Sequence, residues 1–189
     1  MQNILKKKGY NVGTVRDILF LPIENIADIP ELVDNELDTS AIVLAGIEGW
    51  YYMYFVIDTG EFSEDETIKD GAIIYKQKLE ADVAKENLNR WVNFEQMEYR
   101  QFMMIIRDNN NVSRFAGAIN LQGEKSGMEL KKKYSTNKTR PNRNGYTLTF
   151  TRETTDRAPL AFNLQDLLLI VEPPWDPGDG GEPIIPPQP

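Results

Sequence analysis

Tyr146-Thr147-Leu148-Thr149-Phe150-Thr151 sets an aromatic or leucine at every second position, with threonine between them. A period of two marks a strand with one packed face and one wet face. Working outward, Met128 to Tyr134 reads as a preceding strand, separated by a basic loop that ends at Asn144-Gly145. Ala72 to Ala81 puts Ile73, Tyr75, Gln77, Leu79 and Ala81 on one face. Tyr99 to Arg107 is strongly apolar and breaks at Asp108-Asn-Asn-Asn111, a polar turn cluster. Phe115 to Leu121 returns from that turn, which predicts a hairpin. Nearer the N-terminus, Thr14 to Leu21 is a β-rich run that ends at Pro22, a residue without a ladder donor. Trp50 to Ile57 reads as an aromatic strand stopping at Asp58-Thr-Gly60, and Leu160 to Val171 as a last strand.

One helix interrupts the strands. Asp82 is placed to cap it, and Val83 or Ala84, Leu88, Trp91 and Val92 follow a three-to-four spacing. Trp91 reads as the anchor of that helix on the sheet rather than as a ligand stacker. The expectation is a mainly β domain over residues 1–171. From Glu172 the composition shifts to proline and glycine, with four acids and no base, so residues 172–189 read as an extended arm. Trp175, Ile184 and Ile185 are unusual in a solvated tail and are candidate docking residues.

The chain has 189 residues, 21 basic and 29 acidic side chains, and neither cysteine nor histidine. Disulfides, thiolate nucleophiles, thiolate zinc sites and the Ser-His-Asp triad are thereby excluded. No phosphate-binding glycine motif occurs. Asp108-Asn-Asn-Asn111 lacks the glycine and the bidentate glutamate of a calcium loop. With twenty-nine acids, any carboxylate pair can be nominated for glycoside hydrolysis, so none carries specificity. The expectation is a non-enzyme with no catalytic residue, cofactor or metal. No stretch reaches membrane-spanning length, and the first residues lack the apolar run of a secretory signal, so synthesis in the host cytoplasm is expected.

Charge is segregated along the chain. Glu24 to Asp70 holds thirteen acids against Lys69 alone, and Leu121 to Arg143 holds seven bases against two acids. Either these are two solvated faces that keep the protein soluble, or the acidic surface of one copy meets the basic hairpin of the next. The second reading nominates Glu64, Asp65 and Glu66 against Lys131, Lys132 and Lys133. Such a contact is heterologous and builds rings or stacks. A net charge of −8 opposes specific DNA binding.

The order of pieces carries a resemblance. A polar-edged strand (Ile73-Ile-Tyr-Lys-Gln-Lys-Leu79) leads to Leu88-Asn-Arg-Trp91, then to an apolar strand ending in Arg107-Asp-Asn-Asn-Asn111. A glycine-bounded hairpin follows through Ala116-Gly117 and Ser126-Gly-Met-Glu-Leu130, then Asn144-Gly-Tyr-Thr-Leu-Thr-Phe150 and Arg157-Ala-Pro-Leu160. Over about residues 72–162 this resembles the tail tube proteins of long-tailed bacteriophages and related injection machines, in particular versions from phages of Bacteroidetes hosts. The resemblance implies an antiparallel β-sandwich or half-open barrel flanked by one α-helix, with long loops. It implies subunits that pair sheet edges in a ring, usually hexameric, with rings stacked into a virion tail tube through which DNA passes. The proline arm departs from that pattern and keeps a tail-adaptor or head–tail connector role open. A monomeric β-sandwich binding or adhesion module, with Trp50, Tyr51 and Tyr52 as an aromatic platform, is the competing class.

Overall fold

The computed structural model describes residues 13–46, 49–84, 94–117, 126–135 and 145–164. The fold is mainly β, and its organising element is the apolar run that the sequence places before Asp108. Strand β8 (Gln101–Asp108) is buried from Phe102 through Ile106, on both faces. Phe102, Met104 and Ile106 enter one core, while Met103 and Ile105 enter a second core on the opposite face. A strand covered on both sides must be apolar at every position, which accounts for the lost alternation.

Strand β1 (Val15–Pro22) lies antiparallel along one edge of β8, with Ile18 opposite Ile106 and Phe20 opposite Met104. The other edge of β8 is shared by two partners. Strand β9 (Ser113–Ala116) pairs with residues 104–107, and β10 (Met128–Ser135) pairs only with Phe102 and Gln101. The sheet therefore forks. One wing continues antiparallel through β10, β11 (Gly145–Thr154), β7 (Ala72–Ala84) and β6 (Glu61–Lys69). The other runs through β9 and β12 (Leu160–Phe162) to β3 (Glu36–Asp38), where the last pairing is parallel. Strand β5 (Tyr51–Tyr52) flanks β1, and β2 (Ile26–Asp28) with β4 (Val43–Leu44) forms a small separate sheet.

The first wing curls over the first core, laying Tyr146, Leu148, Phe150, Leu79, Ala81 and Val83 on the β8 side chains. Phe102 sits at its centre, edge-on to Phe20 and Phe150 at centroid distances of 5.8 and 6.1 Å. Residues 53–60 then bridge the wing back to β1. The Met53 N–H donates to the Ile18 carbonyl (2.9 Å), Val15 to Gly60 (3.0 Å) and Val56 to Asp82 (2.7 Å). A side chain at Gly60 would meet the Phe55 ring and Val15 at 2.8 Å, so only glycine lets the bridge close this tightly. The result is a half-open barrel, with the second core outside it beneath Trp50, Leu37, Phe115 and Leu164.

Three expectations need correcting. The last strand does not run from Leu160 to Val171 but ends at Phe162, where Asn163 turns the backbone out of the ladder at φ 60°. Trp50 to Ile57 is not one strand; only Tyr51 and Tyr52 pair with β1, and the rest leaves the ladder to form the bridge. Asp82 caps no helix. It continues β7 opposite Thr147, whose hydroxyl donates to its carboxylate at 2.7 Å, because Val83 is held opposite Tyr146 in the core. Leu88, Trp91 and Val92 lie outside the described residues. What is described of helix there is one turn over residues 94–96, which sets Phe94 and Met97 against the first core. The hairpin turn is as expected: the Asp108 carboxylate accepts from the N–H groups of Asn110 and Val112, both at 2.8 Å. Phe102→Ala should lower the urea unfolding free energy by about 3–5 kcal/mol with an unchanged denaturant slope, because the cavity lies between two rings that cannot collapse into it.

Candidate subunit interface

The wing β10-β11-β7-β6 ends in a strand edge on each side. On β6, Val15 takes the Gly60 carbonyl, and from Phe62 to Ile68 no strand among those described lies against the outer edge. On β10, β8 covers Met128 and Glu129, and beyond them no described strand lies on that side. An exposed ladder edge is a template for another strand. The two edges carry opposite charge: Glu-Phe-Ser-Glu-Asp-Glu on β6 and Leu-Lys-Lys-Lys on β10.

The hydrogen-bond phase of both edges follows from one turn. Asp70 and Gly71 have φ of 52° and 82°, and they join Lys69 to Ala72 as a two-residue hairpin turn. Its flanking residues form a hydrogen-bonded pair, so odd residues of β6 bond to β7 and even ones present N–H and C=O outward. Carried through Leu79↔Phe150 and Thr151↔Glu129, the alternation leaves Leu130 and Lys132 facing away from β11. Four is an even number, so both edges present the same phase and run antiparallel.

The nominated residues divide by face. Lys131 and Lys133 are exposed on the outer face, beside Thr149 and Thr147. Lys132 lies on the inner face and pairs with Glu98 at 2.5 Å. Asp65 is exposed. Glu66 pairs with Arg157 at 3.0 Å, and that guanidinium lies 5.2 Å from the Tyr75 ring centroid. Glu64 does a different job from the one expected. Its Oε2 accepts from the Ala158 N–H at 2.7 Å and from Gln77 Nε2 at 3.1 Å, tying residues 155–158 to β6 from within. Trp175, Ile184 and Ile185 lie outside the described residues. The aromatic platform is dispersed: Trp50 is buried in the second core, Tyr52 donates to Asp17 at 2.9 Å, and Tyr51 stacks on Phe20.

Sequence reasoning missed the row that supports the β6 edge. Arg152, Gln77 and Glu64 stand side by side on the inner face, one layer beyond Phe150, Leu79 and Phe62. Burial pushes the Arg152 guanidinium down to about 10, and nearby Asp156 opposes that shift. Gln77 Nε2 also donates to the Asp156 carbonyl at 3.3 Å. The isolated Gln77 in an otherwise apolar face is the signal that a polar partner waits opposite.

Among the described residues no group of three or more acidic side chains is arranged to hold a metal ion, and no helix is long and apolar enough to cross a membrane. No family model matches the chain, and no curated protein or solved structure matches it. Glu64→Gln should lower stability by about 1–3 kcal/mol, since it weakens a charge-assisted bond to a backbone N–H. Glu66→Gln should leave the urea midpoint within error, because its ion pair is solvated. Amide exchange at Ala158 should accelerate only in the first variant.

Proposed function

We propose that this chain is a structural protein of a phage virion tail, assembling edge to edge into rings that stack as the tube through which DNA passes. The observation that carries this reading is the pair of oppositely charged edges on one four-stranded wing. Each edge repels its own kind and attracts the other, so contacts run head to tail. A heterologous contact closes into a ring when its rotation divides a full turn, and otherwise builds an open helix. The mainly β, half-open barrel agrees with the architecture that the resemblance implies.

The wing also offers a surface suited to a conduit. Its outer face carries Thr147, Thr149 and Thr151 on β11, flanked by Lys78 paired with Glu80 at 2.7 Å and by Lys76 near Glu153 at 3.8 Å. The cations of β7 on this face are already paired, and in a ring Lys133 would be drawn to the acidic edge of the next copy, which leaves passing phosphates few counterions to release. The net charge of −8 acts in the same direction. No catalytic group is needed for this work.

Electron micrographs of the purified protein should show rings or tubes; featureless small particles would remove the reading. Assembly should weaken as salt rises, because exposed pairs are screened over about 10 Å at 0.1 M. Lys131→Glu with Lys133→Glu should abolish rings while leaving circular dichroism unchanged, and Lys132 is spared because it serves Glu98 inside the subunit. Micromolar DNA binding at physiological salt would contradict the passive conduit.

A further inference from the structure

The two edges also constrain how they would meet. A slip of one residue would put β10 side chains on the wrong face of the joined sheet. Odd residues of β6 and β10 share the outer face and even residues the inner, so odd must meet odd and even must meet even. The outward N–H and C=O groups lie on even residues of both strands, as argued above, so these registers also form ladder bonds without a bulge.

Side chains then separate the remaining registers, which differ by steps of two. With Glu61 opposite Lys133, Lys132 falls on Phe62 and Leu130 on Glu64. Two residues further, Glu64 must leave Ala158 to serve Lys132, and Leu130 falls on Glu66. At the far extreme, Lys69 meets Lys131 and Ile68 meets Lys132, which sets like charges together and buries an aliphatic chain against an ammonium. One register avoids all of these conflicts. It sets Asp65 opposite Lys133, Glu66 opposite Lys132 and Ile68 opposite Leu130. Ile68 is 77% exposed although it lies on the inner face opposite Ile73, itself exposed, and this register sets an aliphatic side chain, Leu130, on its other side.

We infer that neighbouring copies join β6 to β10 in this register, with Asp65, Glu66 and Ile68 of one copy facing Lys133, Lys132 and Leu130 of the next. The inference rests on the ring-assembly reading above and names the residues that set its geometry. Lys132 and Glu66 exchange or share their internal partners, Glu98 and Arg157, to form a four-charge cluster across the joint. The register also fixes the strand tilt. Glu129, Thr151, Lys78 and Ser63 form one row within a copy, and Ser63 then meets Ser135 of the next, six residues on from Glu129. A slip of six residues per four strands, at about 3.3 Å per residue and about 4.8 Å between strands, gives a tilt of about 45°, within reach of closed barrels.

The chain contains no cysteine, so introduced pairs report without background. Odd pairs across this joint are the close, non-hydrogen-bonded ones, which suit a disulfide. Thr67→Cys with Lys131→Cys should give a ladder of covalent oligomers on oxidation. Asp65→Cys with Lys131→Cys, which matches the register two residues away, should cross-link about tenfold less, because its Cα atoms are separated beyond bridging distance. Rings with the opposite cross-linking preference, or with none, would overturn the register and leave the ring reading standing. Absence of both rings and cross-links in either variant would overturn the ring reading itself.

Discussion

Burial of β8 on both faces is the constraint from which the rest follows. Five consecutive apolar side chains from Phe102 to Ile106 have to be covered, alternately, by two different cores. One sheet cannot curl both ways at once, so the edge of β8 is divided between β9 and β10, and the sheet forks there. The fork decides what the surface can do. Because β9 occupies the middle of β8, β10 pairs with β8 through only its first two residues, and among the described strands it then runs on beside β11 alone. The basic edge exists for that reason, and the acidic edge exists because β6 is the last strand before the barrel would close.

The charges on these edges act twice. A bare strand edge invites indiscriminate pairing, and like charge along it suppresses pairing with its own kind. Lys131 and Lys133 repel another β10, and Asp65 repels another β6. In the proposed ring the same charges would favour β6 against β10, so that protection against aggregation would also select the partner. Net charge alone would not do this, since it repels all copies alike.

Much of the fold is legible in the residues. The alternation of Tyr146 to Thr151, the continuous apolar run before Asp108 and the polar turn after it each specify local structure directly. Trp50 to Ile57 misleads because a buried bridge residue such as Met53 is apolar for the same reason as a strand residue, and composition cannot distinguish a ladder from a bridge. Asp82 misleads because a capping side chain and a strand-edge side chain look alike until Thr147 is seen opposite. Charge segregation singles out residues that lie on β6 and β10, although Glu61 to Lys69 does not read as a strand. It could not reveal that Glu64 turns inward, since that depends on which loop crosses the inner face, nor that both strands are edges, since edge position is a property of topology.

The inward turn of Glu64 bears on how an edge so polar would serve the proposed interface. Joining two strands costs the freedom of whatever is still mobile when they meet, and a strand already held straight costs less. Arg152, Gln77 and Glu64 replace the apolar layer that ends at Phe62, and Glu64 fastens the Ala158 backbone beneath the edge. An apolar layer in that place would have anchored β6 equally well, but would have left a greasy inner face wherever the strand outruns the core. A polar row holds the strand through hydrogen bonds without adding apolar surface to the inner face. Ile68 and Ile73, paired opposite each other beyond Glu66, are exposed aliphatic surface on that face. In the proposed ring, that is the position at which a neighbouring strand would supply packing that the subunit's own core does not.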